Sequence, residues 1–197
     1  MAGPTKKAEL RRTEILKGAA ECFGDKGVRA TSISDICTRL KISPGHLYYY
    51  FESKDAIVEA LLALDTQRVE EQMREVAQHP DAFDRLLNFV ADTAVAKKAL
   101  FDGSAGWEMY ALAMRNARVG ALLQRHWSVS DAGTRAIVEA EQRRGRFRAD
   151  ADLDLVVTLL DMYFVTVQLA TVADPGFDLQ RYQKALRQSL EPYLTRS

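Results

Sequence analysis

Helix breakers are scarce in this chain, and so are the residues that would staple it covalently. Its 197 residues include 5 prolines, 11 glycines and 2 cysteines. So little proline and glycine argues against a loop-rich chain and favours long helices. Cys22 and Cys37 stand far apart and make no Cys-x-x-Cys, so no disulfide framework is expected and the compartment is read as reducing. No stretch approaches eighteen uninterrupted apolar residues, so no membrane span is expected. The opening MAGPTKKAELRR lacks an apolar segment, is not read as a signal peptide, and points to a cytoplasmic location. Also missing are a Gly-rich phosphate loop, G-x-S-x-G, H-E-x-x-H and ligands at metal spacing. His46, His79 and His126 fall in separate elements. No enzyme activity, metal or cofactor is therefore expected.

Hydrophobic residues make up 47% of the chain and charged residues 27%, which fits an ordinary globular protein. The net charge of zero conceals an asymmetry. Residues 1–50 hold nine Lys/Arg and five Asp/Glu, so 9 − 5 = +4; the remainder hold 18 and 22, so 18 − 22 = −4. One end is suited to phosphate and the other is not.

Apolar spacing predicts an all-α fold of about nine helices. Residues 1–9 read as a mobile basic arm. The first helix runs from Leu10 to Lys26, with Leu16, Ala19, Ala20 and Phe23 on one face and Gly24 and Gly27 at its end. Ser32 and Asp35 make a capping box for a second helix. Ile33, Ile36, Cys37 and Leu40 then bury one stripe. Lys41 and Ile42 form a tight turn. Ser43 caps a third helix whose first position is Pro44. Leu47 and Phe51 point inward, so Tyr48 and Tyr49 point away and Tyr50 packs at the edge. Gly45 leaves the helix start bare for a phosphate. His46 shares the outward side, either meeting DNA or merely hydrating the helix. A capped fourth helix runs from Lys54 to about Gln78. Five more helices follow, at about 81–100, 104–116, 117–144, 150–173 and from 178 onward. Gly120 and Gly133 read as weak points in the seventh. Arg143, Arg144, Arg146 and Arg148 resemble a second nucleic-acid patch but read rather as a solvated turn.

The pattern at 32–51 is that of a helix-turn-helix, with a braced second helix that offers its N-terminal half to the major groove. Together with AAECFGDKG around Phe23, TSISDIC (Thr31–Cys37) and SPGHLYYYFESKDAIVEALL (Ser43–Leu62), it closely resembles the tetracycline-repressor (TetR) family of bacterial transcription regulators. The resemblance is specific over about residues 10–62. Beyond that it covers helix number, length and order. It implies a DNA-binding head, residues 1–53, joined by the long fourth helix to an effector-binding and dimerising body, residues 54–197. It places DNA contacts on Thr31, Ser43, Pro44, Gly45, Tyr48, Tyr49 and Lys54. Pro44 offers no side-chain donor, so a phosphate-rich interface is expected there.

The expected partners are a palindromic double-stranded operator, a small-molecule effector and a second copy of the chain. Effector candidates are Phe83, Leu87 and Phe89, then Trp107, Tyr110 and Met114, then His126 and Trp127, and finally Asp161 and Tyr163. Each apolar member also reads as ordinary core. Asp161 also reads as part of a polar seam with Thr158 and Gln168, at solvent or at a subunit interface. The eighth helix is apolar nearly all round and the ninth carries a heptad-like stripe, so both are expected to pair with a partner subunit. Val157, Phe164, Tyr182, Leu186 and Leu190 are the expected interface. The alternative reading is a helical adaptor with a degenerate head.

Overall fold

The structure is a computed structural model. It describes residues 6–95, 103–174 and 176–195, and within these all side chains except those of 89–95, 103–106 and 172. Among the described residues the long elements are nine α-helices: α1 Lys6–Lys26, α2 Ile33–Leu40, α3 Pro44–Tyr50, α4 Lys54–Ala77, α5 Ala82–Val95, α6 Gly103–Ala113, α7 Ala117–Arg143, α8 Leu153–Ala173 and α9 Leu179–Leu190. A 3-10 turn, Glu191–Tyr193, follows α9, and Phe147 and Leu194 form one isolated antiparallel bridge. The all-helical expectation holds. α1 begins at Lys6, inside the segment expected to be a basic arm.

Two compact units divide the chain. One is Met1–Asp65 with Ala99–Gln124; the other is Thr66–Lys98 with Arg125–Ser197. Packing therefore does not divide at residue 53. The first turns of α4 bury Ile57, Val58, Leu61 and Leu62 in the first unit's core, and α6 and the start of α7 add Met109 and Val119.

Local chemistry fixes the helix starts. Ser32 accepts from the Asp35 N–H while Asp35 accepts from the Ser32 N–H, closing the capping box. Ser43, Ser53, Asp152 and Asp178 each accept an N–H three residues on. Lys41 ends α2 in the left-handed region, with φ 53°. Its N–H and that of Ile42 then satisfy the last carbonyls of α2, at Thr38 and Cys37.

In the second unit, Met73, Phe83, Leu86, Leu87, Ile137, Val156, Leu160, Val167 and Leu190 lie in one core. Gly133 is not a weak point: α7 is continuous there, and a Cβ would lie 2.7 Å from the Met73 Cβ. Glycine lets α4 and α7 approach closely at that level. The arginine-rich turn is held by ion pairs rather than left free. Arg146 reaches Asp84 and covers the Phe83 ring, Arg144 reaches the buried Glu141, and Arg148 reaches Asp150.

The expected interface residues divide by burial. Val157, Leu186 and Leu190 are buried in the chain's own core. The core of the second unit claims one face of α8, at 156, 157, 160, 163 and 167. The opposite face leaves Leu155, Met162, Val165 and Leu169 exposed, with Met162 at 63%. Tyr182 is also exposed and Phe164 is half-buried. By length and composition α8 is apolar enough to cross a membrane. One face of it is nevertheless packed in the second unit's core, and it carries Asp161.

Candidate nucleic-acid interface

The candidate recognition surface is α3, and its orientation follows from two buried side chains. Leu47 is fully buried and Phe51 nearly so. Each contributes about 1.5–3 kcal/mol of apolar burial, which pins the helix by its inner face. The outer face then carries Tyr49 at 80% exposure and Tyr48 at 51%. Tyr50 is half-buried between His46 and Tyr49, with ring centroids 5.5 and 5.0 Å away.

Ser43, Pro44, Gly45 and His46 complete an exposed face with the two tyrosines. The Ser43 hydroxyl oxygen accepts the His46 N–H at 3.2 Å, which leaves its own proton for a partner. Nothing lies within 4 Å of where a Gly45 Cβ would sit, so the backbone is open to close approach. Arg11, on α1, donates from Nε to His46 Nε2 at 3.4 Å. In the neutral ring that leaves the proton on Nδ1. Arg11 brings a guanidinium beside the recognition helix. The basic arm read from the sequence ends at residue 9 and leaves Arg11 out; the pair Arg11-Arg12 is the signal for it.

Two expected contacts are committed elsewhere. Thr31 is 1% exposed, and its hydroxyl donates toward the carbonyls of Gly27 and Cys22, at 2.7 and 3.0 Å. The Lys54 ammonium donates to the carbonyls of Val28, Arg29 and Thr31 at 2.9, 3.2 and 2.9 Å. An ammonium has three protons, so all three have protein acceptors. Both residues shape the loop between α1 and α2.

Other charges near the helix-turn-helix brace it. Arg39 pairs with Glu21 and Asp25, and Lys26 with Asp35. The Lys26 ammonium, with the Ser32 hydroxyl, holds the Asp35 carboxyl well below the usual range. Burial pushes the Cys22 and Cys37 thiols up, so both behave as core residues.

The effector candidates fall in both units. In the first, Trp107 and Tyr110 are half-buried with ring centroids 5.2 Å apart, and burial pushes the Tyr110 phenol up. Met114 is 88% exposed and so is not enclosed with them. It sits beyond the last turn of α6, where the chain leaves the helix. In the second unit Phe83 and Leu87 are core, and Phe83 stacks edge-on against Phe147 at 5.0 Å. The Phe89 side chain lies outside the described residues. His126 Nδ1 lies 3.3 Å from the Thr66 hydroxyl, and Trp127 is half-buried. Tyr163 is buried, and its hydroxyl has no hydrogen-bond partner among the described residues. Asp161 is half-buried against Asp131 of α7. Burial first, and then that facing carboxylate, push its carboxyl up to about 6, while Arg135 opposes the rise.

Comparison with known proteins agrees with this geometry. The family model for bacterial regulatory proteins of the tetR family matches residues 15–61. The HTH-type transcriptional repressor KstR2 of Mycolicibacterium smegmatis is 30% identical over 174 residues, 80% of this chain and 78% of the relative. The HTH-type transcriptional regulator UidR of Escherichia coli K12 is 28% identical over 155 residues, 78% of each chain. Among solved structures, Salmonella enterica GusR superposes with a TM-score of 0.74 at 27% identity, covering 93% of this chain and 94% of that one.

Proposed function

The chain belongs to the tetR family of bacterial regulatory proteins, and from that premise we propose that it is a dimeric repressor that leaves a palindromic operator when a small effector binds its helical body. It is a DNA-binding transcription regulator by family. The operator, the effector and the dimer are the proposed part. The observation that carries the DNA reading is the split of α3, with Leu47 and Phe51 buried and Tyr48 and Tyr49 exposed on the other side. A flat aromatic face with hydroxyl tips beside an open glycine suits phosphates and thymine methyls. The proposed contacts are Ser43, Pro44, Gly45, His46, Tyr48 and Tyr49, with Arg11 added.

The proposed division of labour keeps residues 1–53 for DNA and 54–197 for effector and partner. The dimer reading is supported by Leu155, Met162, Val165 and Leu169, which line one exposed face of α8, and by exposed Tyr182 of α9. A contiguous apolar stripe of that kind marks an interaction surface. Two copies joined through it would present two recognition helices to half-sites about one helical turn apart. Trp107, Tyr110, His126, Trp127, Asp161 and Tyr163 remain the effector candidates.

The test is selection of duplexes from a random pool with full-length protein at low salt. An inverted repeat is expected. The double substitution Tyr48→Ala with Tyr49→Ala should abolish binding to it while the oligomeric mass is unchanged. Failure to enrich any duplex would overturn the reading and leave the helical adaptor.

A further inference from the structure

The loop 27–31 between α1 and α2 is gripped from two directions by residues that do not belong to the helix-turn-helix. From α6, seventy-nine positions away in sequence, Glu108 Oε2 accepts the Arg29 N–H at 2.7 Å. A Cβ on Gly27 would clash with the Glu108 Oε1. Gly27 also has φ +83°, so glycine is required there twice over, by conformation and by contact. From α4, the Lys54 ammonium holds three carbonyls of the same loop. The neighbour of Glu108, Met109, is buried in the core shared with Phe23, Ile36 and Leu47. Just past α6, the Asn116 amide donates to Asp55 at 3.2 Å.

The grip on Arg29 is to a backbone atom. A contact between two long side chains absorbs a small displacement by changing rotamers. A carboxylate on a backbone N–H has less slack, especially where three neighbouring carbonyls are already fixed. The loop also ends at the Ser32 cap of α2, and α2 packs with α1 and α3 in one core. Displacing the loop therefore displaces the recognition helix.

We infer that Glu108 is a positioning residue that couples α6 to the helix-turn-helix through the loop 27–31, so that the state of α6 and occupation of the DNA face are energetically linked. The inference rests on the DNA-binding reading above. Coupling is reciprocal, so DNA on α3 must be felt in α6.

Amide hydrogen exchange of the full chain, free and bound to a duplex selected by the wild type, tests this without an effector. In the wild type, DNA should slow exchange at 43–51 and also, by at least about fivefold, in α6. Glu108→Ala should keep the protection at 43–51 and lose that in α6. Glu108→Gln, which retains a carbonyl acceptor for the Arg29 N–H, should keep both. Glu108→Asp keeps the charge but falls a methylene short, and should behave like the alanine variant; it serves if the latter does not fold. Protection of α6 that persists in Glu108→Ala or Glu108→Asp overturns the coupling and leaves the DNA reading intact. Absence of protection at 43–51 in the wild type overturns both.

Discussion

Replacing Lys54 by Met separates two roles that a lysine at the start of α4 can have. As a phosphate contact, it would add affinity that falls with salt, and removing it would reduce the slope of log K against log salt by about 0.9. As the internal clamp seen here, it holds the carbonyls of Val28, Arg29 and Thr31. The bonds to Val28 and Thr31 are partly buried, and the bond to Arg29 is exposed. Leaving a buried acceptor unpaired costs about 1–3 kcal/mol, so two partly buried ones should cost about 2–4 kcal/mol, with water replacing the third. Methionine keeps the apolar stem and the helix propensity, so little else changes. With a urea slope of about 2 kcal/mol/M, the unfolding midpoint should fall by about 1–2 M. Urea titration followed by helicity, together with a salt titration of duplex affinity on folded protein, reads both quantities. The expected outcome is a lower midpoint with an unchanged salt slope. An unchanged midpoint with a reduced slope would refute the clamp and return Lys54 to the DNA interface.

Three further outcomes follow from the second unit. Asp161→Asn should stabilise the protein at pH 7.5. The Asp161 carboxyl, pushed up to about 6, holds its proton more tightly folded than unfolded, so stability is highest below about 4 and is lost as pH rises toward 6. The group is half-exposed, so screening leaves about 1 kcal/mol, or roughly 2–4 °C in Tm, and the gain should vanish near pH 4; a variant less stable at pH 7.5 contradicts the carboxyl pair. Met162→Glu places a carboxylate in the exposed stripe of α8, opposite its symmetry mate in a two-fold pair. Sedimentation should show the dimer weakened by about a hundredfold or more, and an unshifted mass at micromolar concentration would remove α8 from the interface. Gly133→Ala should cost about 1–3 kcal/mol by driving α7 off Met73, despite alanine's better helix propensity; a thermal melt that rises instead would mean the close approach is not tight.

The head was legible in the sequence because its rules are local. A capping serine, a proline at the first helical position and a buried pair four residues apart depend on a few neighbours. Ser32, Ser43, Pro44, Leu47 and Phe51 accordingly sit as read. Thr31 and Lys54 show the same locality in reverse, because their intrachain partners cannot be read from neighbouring residues. Their chemistry, a hydroxyl and an ammonium near a helix start, suits a phosphate and a backbone carbonyl equally well. Only the fold shows that Cys22, Gly27, Val28 and Arg29 bring carbonyls within reach. Glu108 had no signal at all, because its partner is a backbone N–H whose position depends on long-range packing.

The body was legible in outline and not in detail, and α8 shows why. A helix with apolar residues on every side has no amphipathic stripe, so periodicity cannot say which face meets the chain's own core and which meets a partner. Heptad spacing on α9 selected Leu186 and Leu190, but that spacing is equally the mark of a helix packed inside its own subunit. The structure narrows the choice by subtraction. With Val156, Leu160 and Val167 buried in the second unit's core, the exposed large apolar residues of α8 among the described side chains are Leu155, Met162, Val165 and Leu169. These follow one another at seven, three and four positions, the spacing of a single helix face. A partner helix of the same kind, laid across that face, is the simplest cover for it. In the proposed dimer the residues that join two copies are therefore those the monomer's core leaves over, and no pattern within α8 alone distinguishes them.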